Sequence, residues 1–278
     1  MPKVRLIALD LDGTLLDSEK RLSDENRRAL ERAAAEGVEI VPTTGRFYKG
    51  MPEAIKNLPF VNYAITINGA QVYDIRNDRA LLKAEIPWKR AVEVMEYLDT
   101  LPVIYDCYMD NWGWMTKRLY DRAELYAPTK HNLQMILTQR TPVPELKAYL
   151  AERKTDVQKI QMFFLDMELR KKELIHLQEI FPDTVIASSI VNNIEVNSPE
   201  AQKGLAIRSL AAHLGFSIEE TMAFGDGLND ISMIKEAGIG VAMANAADEV
   251  KAAADRITES CDENGVAKEI ARTLWREV

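Results

Sequence analysis

Short, nearly continuous apolar runs recur along the first third of the chain, and each stops at small or polar residues. Val4-Arg5-Leu6-Ile7-Ala8-Leu9 runs into Asp10-Leu11-Asp12-Gly13. Val38-Glu39-Ile40-Val41-Pro42 runs into Thr43-Thr44-Gly45-Arg46, and Tyr63-Ala64-Ile65-Thr66-Ile67 into Asn68-Gly69. Runs apolar on both faces suit strands of a parallel sheet covered on each side. Between them, Ser23 to Glu36 carries Leu30, Ala33 and Ala34 as an inner stripe, with Ser23 as cap and Gly37 as stop, which predicts a helix. Phe47 to Asn57 also reads as helical. This alternation of strand and helix predicts an α/β fold with a doubly wound parallel sheet.

The pattern changes near Leu82. A helix over Trp88 to Leu101 is followed by strands over Val103 to Asp110 and Trp114 to Lys117, facing each other across Asn111-Trp112-Gly113. A helix over Glu145 to Arg153, a strand over Val157 to Leu165, a helix over Glu168 to Ile180 and short strands over Val185 to Ser188 and Ile190 to Val196 complete the stretch. Paired strands mixed with helices predict an α+β unit with an antiparallel sheet. The reading is a core of residues 1–81 and 194–278 with a second domain, 82–193, inserted into it. From Pro199 the first rhythm returns, with a helix over Lys203 to Gly215 and a strand over Thr221 to Phe224 that ends in Gly225-Asp226-Gly227-Leu228-Asn229-Asp230. A helix to about Ala237, a strand over Gly238 to Ala242, a helix from near Ala247 and the segment Val266 to Trp275 follow.

Composition narrows the classes. The 278 residues are 47% hydrophobic and 28% charged, enough for a sizeable core. A net charge of −8 and a pI near 5.2 speak against nucleic acid or an anionic membrane as partners. Cys107 and Cys261 are far apart and form no metal or disulfide pattern, which fits a reducing cytoplasm. His131, His176 and His213 are scattered. The start from Met1-Pro2 is too short in apolar residues, and broken too soon by Asp10, to be a secretory signal. The expectation is a cytoplasmic protein; the sequence is silent on its oligomeric state.

The chemistry concentrates at the strand ends. Asp10 and Asp12, one residue apart, stay ionised together only beside a cation; otherwise one of them holds a proton. The first case suits a hard metal such as Mg²⁺, the second a general acid. An ordinary Asp-Gly turn is the competing explanation for the pair taken alone. Lys203, in the first turn of its helix, opposes the helix dipole, which hints at an anion nearby. Gly225 to Asp230 superficially matches a dinucleotide fingerprint, but Asp230 would set a carboxylate against a pyrophosphate. An acidic metal loop fits that stretch better.

The ordered set Asp-x-Asp-Gly-Thr-Leu, Thr-Gly-Arg, Lys-Gly and Gly-Asp-x-x-Asn-Asp resembles the haloacid dehalogenase superfamily of aspartate-nucleophile phosphohydrolases over the full length. The large insert between Thr44 and Lys203 looks like the cap of its Cof-like, type IIB branch, as do Asn68-Gly69-Ala70, Gly240 to Met243 running into Asn245-Ala246, and Glu263 to Ala267. The resemblance implies a Mg²⁺-dependent phosphatase of small phosphorylated metabolites, such as sugar phosphates or nucleotide and cofactor phosphates. It implies Asp10 as nucleophile and Asp12 as acid and base. The metal would be held by Asp10, the Asp12 carbonyl and Asp226, with Asp230 and Asn229 in support. Thr44 and Lys203 would hold the phosphoryl oxygens, with backbone N–H groups near Leu11, Asp12 and Gly45. Arg46, Asn68 and Asn245 would serve either the substrate side or the support of the reacting groups. Thr43, Gln202 and Ala244 depart from the family pattern without removing a reacting group. A phosphotransferase or mutase, or a non-enzymatic Mg²⁺-dependent phosphate sensor, would use some of the same residues; a sensor needs no acid at Asp12. A dehalogenase would have no use for the metal carboxylates of Gly225 to Asp230. Trp112 and Trp114 are expected to pack on their own sheet more than to meet a substrate.

Overall fold

A computed structural model describes residues 3–275 and divides them into two compact units, residues 3–83 with 201–275 and residues 84–200. Met1 and Pro2, which open the stretch too short in apolar residues for a secretory signal, lie outside the described residues. The first unit is built on a parallel five-stranded sheet in the order Arg256–Thr258, Ile239–Met243, Thr221–Gly225, Leu6–Leu9, Glu39–Pro42. Alternation along the central strand decides its two faces. Ile7 and Leu9 join Leu30, Ala33, Phe224, Val266 and Ile270 in one core, and Leu6 and Ala8 join Ala206, Ile207, Leu210, Met233 and Ile234 in the other. Helices therefore cover both sides, as a doubly wound sheet requires.

Several local readings are corrected. Tyr63–Thr66 is no full member of the parallel sheet. It touches the sheet through a single bridge from Thr43 to Ile65, and it starts a three-stranded antiparallel sheet with Gln71–Asp74 and Arg79–Lys83. Phe47 to Asn57 is not one helix: Pro52 lacks an N–H and Met51 before it is extended, so a 3₁₀ turn at Tyr48–Gly50 and a short helix at Glu53–Lys56 replace it. The edge strand Arg256–Thr258 is one that the apolar pattern does not predict. The helix Asp24–Ala35 forms where expected, with the Ser23 hydroxyl accepting from Asn26 N–H at 3.1 Å.

The second unit carries a six-stranded sheet in the order Val185–Ala187, Asn193–Asn197, Lys159–Phe163, Ile104–Met109, Trp112–Thr116, Arg140–Val143. It is antiparallel except that Arg140–Val143 runs parallel to Trp112–Thr116. Both edges read from the sequence move. Asn193–Asn197, placed in the core from residue 194, pairs with Lys159–Phe163 and belongs to this unit; Leu82, placed in the insert, pairs with Val72 in the first unit. Ile104–Met109 and Trp112–Thr116 are joined by Asp110 and Asn111, with φ of 53° and 58°, so the turn has two residues and Trp112 lies in the strand. The Trp112 indole donates to Thr141 Oγ1 at 2.9 Å and the Trp114 indole to the Met109 carbonyl at 3.2 Å, so both are spent inside this unit. Among the described residues no helix is long and apolar enough to cross a membrane.

Candidate active site

The parallel sheet delivers its polar residues to one edge. Asp10 follows the central strand, Thr44 lies just past Glu39–Pro42, Asp226 follows Thr221–Gly225, and Asn245 comes two residues after Ile239–Met243. Carboxyl ends of parallel strands are where open α/β sheets present ligands. The Asp10 N–H donates to the Phe224 carbonyl at 3.0 Å, which extends the ladder to the nucleophile candidate itself.

Lys203 is fully buried at the start of the helix Lys203–His213, and its ammonium lies 2.7 Å from Asp10 Oδ1 and 2.5 Å from Asp230 Oδ1. The anion expected from its unfavourable dipole position is thus a pair of carboxylates. Burial works against the Lys203 charge, but Asp10 and Asp230 outweigh it and raise its pKa. Asp10 is pushed up to about 8, chiefly by burial, with Asp230 and Asp226 adding and Lys203 opposing. Asp226 is raised by burial too, while the Thr14 hydroxyl, donating to Asp226 Oδ1 at 2.7 Å, pulls the other way. Carboxylate oxygens of Asp10, Asp226 and Asp230 all lie within 4.8 Å of one another. This all-oxygen donor set, with more negative than positive charge, fits a hard divalent cation. Asp230 is the most committed of the three, since its Oδ2 accepts from the N–H groups of Asp226 and Gly227 at 3.0 and 2.9 Å.

Asp12 points into a different setting. Arg46 grips it with two bonds, Nε to Oδ2 at 2.8 Å and an Nη2 bond to Oδ1 at 2.9 Å, and Lys20 adds its ammonium at 3.1 Å. Burial alone would raise the Asp12 pKa, yet Arg46 and then Lys20 reverse it and hold the carboxyl below its ordinary range. The Arg46 N–H meets Thr44 Oγ1 at 3.2 Å, and the Thr44 carbonyl accepts from Asn68 N–H at 3.1 Å. Asn68, left-handed at φ 57°, accepts from Asn229 Nδ2 at 3.1 Å. Leu11 is buried in the core and offers the site only its backbone. Asn245 ties turns together, its Nδ2 donating to the Gly13 carbonyl at 2.8 Å and its Oδ1 accepting from Cys261 N–H at 2.9 Å. Thr43, a departure from the family pattern, is buried with its hydroxyl donating to the Val41 carbonyl.

Two glycines are fixed by close approach. Gly13, at φ +98°, would put a Cβ 2.5 Å from Asp226 Oδ2; Gly69, at φ +96°, would put one 2.4 Å from the Gln202 carbonyl and 2.8 Å from Lys203 N. Gly69→Ala should therefore destabilise the protein by about 3 kcal/mol. It should also lower turnover by displacing the start of the Lys203 helix. Urea unfolding and a rate measurement on the same sample check this; a variant as stable and active as wild type would contradict it.

Sequence reasoning gave no part to Thr14 or Lys20. Thr14 stood inside a quoted motif, which was a usable signal; Lys20 carried none. In the second unit it also missed a buried polar row on one sheet face. There Arg140 pairs with Asp106 at 2.9 Å, Lys159 with Glu195 at 2.9 Å, and Gln161 donates to Asp106 at 3.0 Å. Polar residues alternating with apolar ones in Lys159-Ile160-Gln161-Met162 were the available sign.

The family model for haloacid dehalogenase-like hydrolases matches residues 7–270. The chain is 34% identical over 269 residues to the 5-amino-6-(5-phospho-D-ribitylamino)uracil phosphatase YcsE of Bacillus subtilis strain 168, covering 96% of this chain and 94% of that one. It is 30% identical to the pyridoxal phosphate phosphatase YbhA of Escherichia coli K12 over 90% of this chain and 92% of that one. The HAD subclass IIB sugar phosphatase BT4131 superposes with a TM-score of 0.79 at 26% identity, covering 97% of this chain and 98% of that one.

Proposed function

Because the chain belongs to the haloacid dehalogenase-like hydrolases and is a phosphoric monoester hydrolase, we propose that it is a Mg²⁺-dependent phosphatase of small phosphorylated metabolites, working through an aspartyl-phosphate on Asp10. The carrying observation is the Asp10 carboxylate at the end of the central strand, in contact with Lys203 and with an oxygen within 4.8 Å of those of Asp226 and Asp230. The relatives act on a ribityl phosphate, a sugar phosphate and pyridoxal phosphate, which supports sugar and cofactor phosphates as the class. The net charge of −8 supports a small-molecule substrate over nucleic acid or membrane, and a cytoplasmic setting fits the two unpaired, buried cysteines.

The residues divide the work as follows. An Asp10 oxygen attacks phosphorus in line, and the bond from phosphorus to the leaving oxygen breaks. Asp12 gives that oxygen a proton, then takes one from the water that cleaves the aspartyl-phosphate, releasing inorganic phosphate and restoring Asp10. Held by Arg46 and Lys20, Asp12 is poised as the base of the second step. The Arg46 fork must open before Asp12 can carry a proton for the first, and a phosphoryl group is the natural competitor for a guanidinium. Two of the three Lys203 N–H donors go to Asp10 and Asp230, leaving the third for a phosphoryl oxygen. The Thr44 hydroxyl, which accepts from Arg46 N–H, keeps its proton for another. Mg²⁺ would be held by the Asp10 carboxylate, the Asp12 carbonyl and Asp226, with Asp230 steadying the loop; when bound it offsets charge on the phosphoryl oxygens.

A phosphate-release panel of sugar phosphates, nucleotides and cofactor phosphates tests this reading. Turnover of alkyl phosphates is expected, falling by about 10²-fold or more in Asp12→Asn, the size of a lost general acid. Phosphate transferred to an acceptor alcohol with none released to water would favour the mutase class. Phosphate uptake with no turnover in either protein would favour a sensor.

A further inference from the structure

Lys20 is the member of this site that no motif and no comparison assigns. Its ammonium stands 3.1 Å from Asp12 Oδ1, the oxygen that also accepts from Arg46. The backbone that puts it there is unusual. Lys20 has φ of +63°, a left-handed conformation that glycine or asparagine adopts more readily than a long side chain.

The turn around it is tightly made. Asp17 Oδ1 accepts from the N–H groups of Glu19 and Arg21, the Asp17 N–H donates to the Arg21 carbonyl, and the Lys20 N–H donates to the Asp17 carbonyl. A bridge between Leu16 and Leu22 closes the turn at its base, and the Ser18 N–H is anchored on Asp262 Oδ1. The turn thus holds a lysine in a conformation that favours glycine. Packing does not explain the choice, because the side chain is 49% exposed, and an ion pair this exposed contributes little to stability. Strain retained without a stability return is characteristic of functional positions. What the strained tip delivers is one ammonium on one carboxylate.

We propose that Lys20 is a positioning residue for the acid–base carboxylate: it keeps Asp12 aimed and anchored when Arg46 turns from Asp12 to the phosphoryl group. Arg46 alone cannot serve both partners through the cycle. Lys20, on a separate turn and already on Oδ1, holds the carboxylate without blocking Oδ2, which is then free to give a proton to the leaving oxygen and later to take one from water.

This rests on the phosphatase reading, and leaving-group dependence separates the two. An alkoxide must be protonated as it departs, whereas p-nitrophenolate leaves without help, so a misplaced Asp12 penalises alkyl phosphates selectively. Lys20→Asn removes the ammonium while relaxing the left-handed residue, and Lys20→Gly does the same with a second residue type. For both, the thermal midpoint should stay within a few degrees of wild type or rise. The kcat for the alkyl phosphate turned over fastest in the panel should fall about fivefold or more, and that for p-nitrophenyl phosphate less than about twofold. Lys20→Arg should recover most of the difference. Equal losses on both substrates, no loss, or no recovery with arginine would overturn the role of Lys20 while leaving the phosphatase standing. A wild-type protein that releases phosphate from neither substrate would overturn both.

Discussion

Asp10→Asn should reduce phosphate release by about 10⁴-fold or more while the protein remains folded, because the covalent path loses its only attacking oxygen. Two features of the site make this a clean experiment. Asparagine matches the size of aspartate, and burial already pushes the Asp10 carboxyl up to about 8, so a neutral group there meets no large desolvation cost. Lys203, moreover, keeps Asp230 as a charged partner at 2.5 Å when Asp10 is neutralised. The buried ammonium is never stranded, and the loss of about 3–5 kcal/mol that follows from leaving a buried charge unpaired is avoided. The thermal midpoint should therefore move by only a few degrees. Mass spectrometry after a substrate pulse should find a phosphoryl adduct on wild-type protein and none on the variant. Residual turnover above about 1% of wild type, after exclusion of deamidation back to aspartate, would contradict the nucleophile assignment.

How much of this was readable in advance depended on whether a residue's job is set by its neighbours in sequence or by its neighbours in space. Leu6 to Leu9 betrays itself as a doubly covered strand, because burial on both faces demands an unbroken apolar run. Asp10 at its end, and Asp226 at the end of Thr221–Gly225, are then placed by topology. Lys203 was legible as an oddity, a cation where the helix dipole disfavours one, though its partners proved to be Asp10 and Asp230 together. The grip of Arg46 on Asp12 joins residues 34 positions apart through two loops, and no local rule of spacing predicts that contact.

The second unit shows the same division. Its hairpin is legible, but the sequence suggests a three-residue turn over Asn111 to Gly113, because Trp112-Gly113 looks like punctuation, while the two positive φ angles fall on Asp110 and Asn111. Residues 117–139 hold three helices, Lys117–Tyr120, Ala123–Tyr126 and Lys130–Gln139, that went unread. The first two are one turn long, too short for an apolar stripe to recur. Lys159 and Gln161 sit in a strand buried on both faces because Glu195 and Asp106 satisfy them from other strands. Such pairing overrides the rule that buried strands are apolar, and it appears only once the register is known.

Removal of the divalent cation should have an effect as large as loss of the nucleophile. Asp10, Asp226 and Asp230 bring three carboxylates within 4.8 Å, and Lys203 supplies one positive charge to that cluster. Burial with mutual repulsion raises the pKa of both Asp10 and Asp226. A hard cation relieves that repulsion, so it should bind the folded chain and stabilise it, by about 2.7 kcal/mol at a hundredfold excess over its dissociation constant. Exhaustive EDTA should abolish phosphate release, and Mg²⁺ should restore it in full. Added Mg²⁺ should raise the thermal midpoint of the EDTA-treated protein by several degrees. Asp226→Asn separates binding from bystander effects. Thr14 already orients this carboxylate through Oδ1, so the substitution keeps the side chain's size and removes its charge. It should weaken Mg²⁺ binding by about tenfold or more, as loss of a charged ligand does, and shrink the thermal shift at a given Mg²⁺ concentration. Because that shift is read without substrate, it tests the metal site independently of turnover. Full activity after chelation, or a thermal shift unchanged by Asp226→Asn, would show that the acidic cluster answers to Lys203 alone.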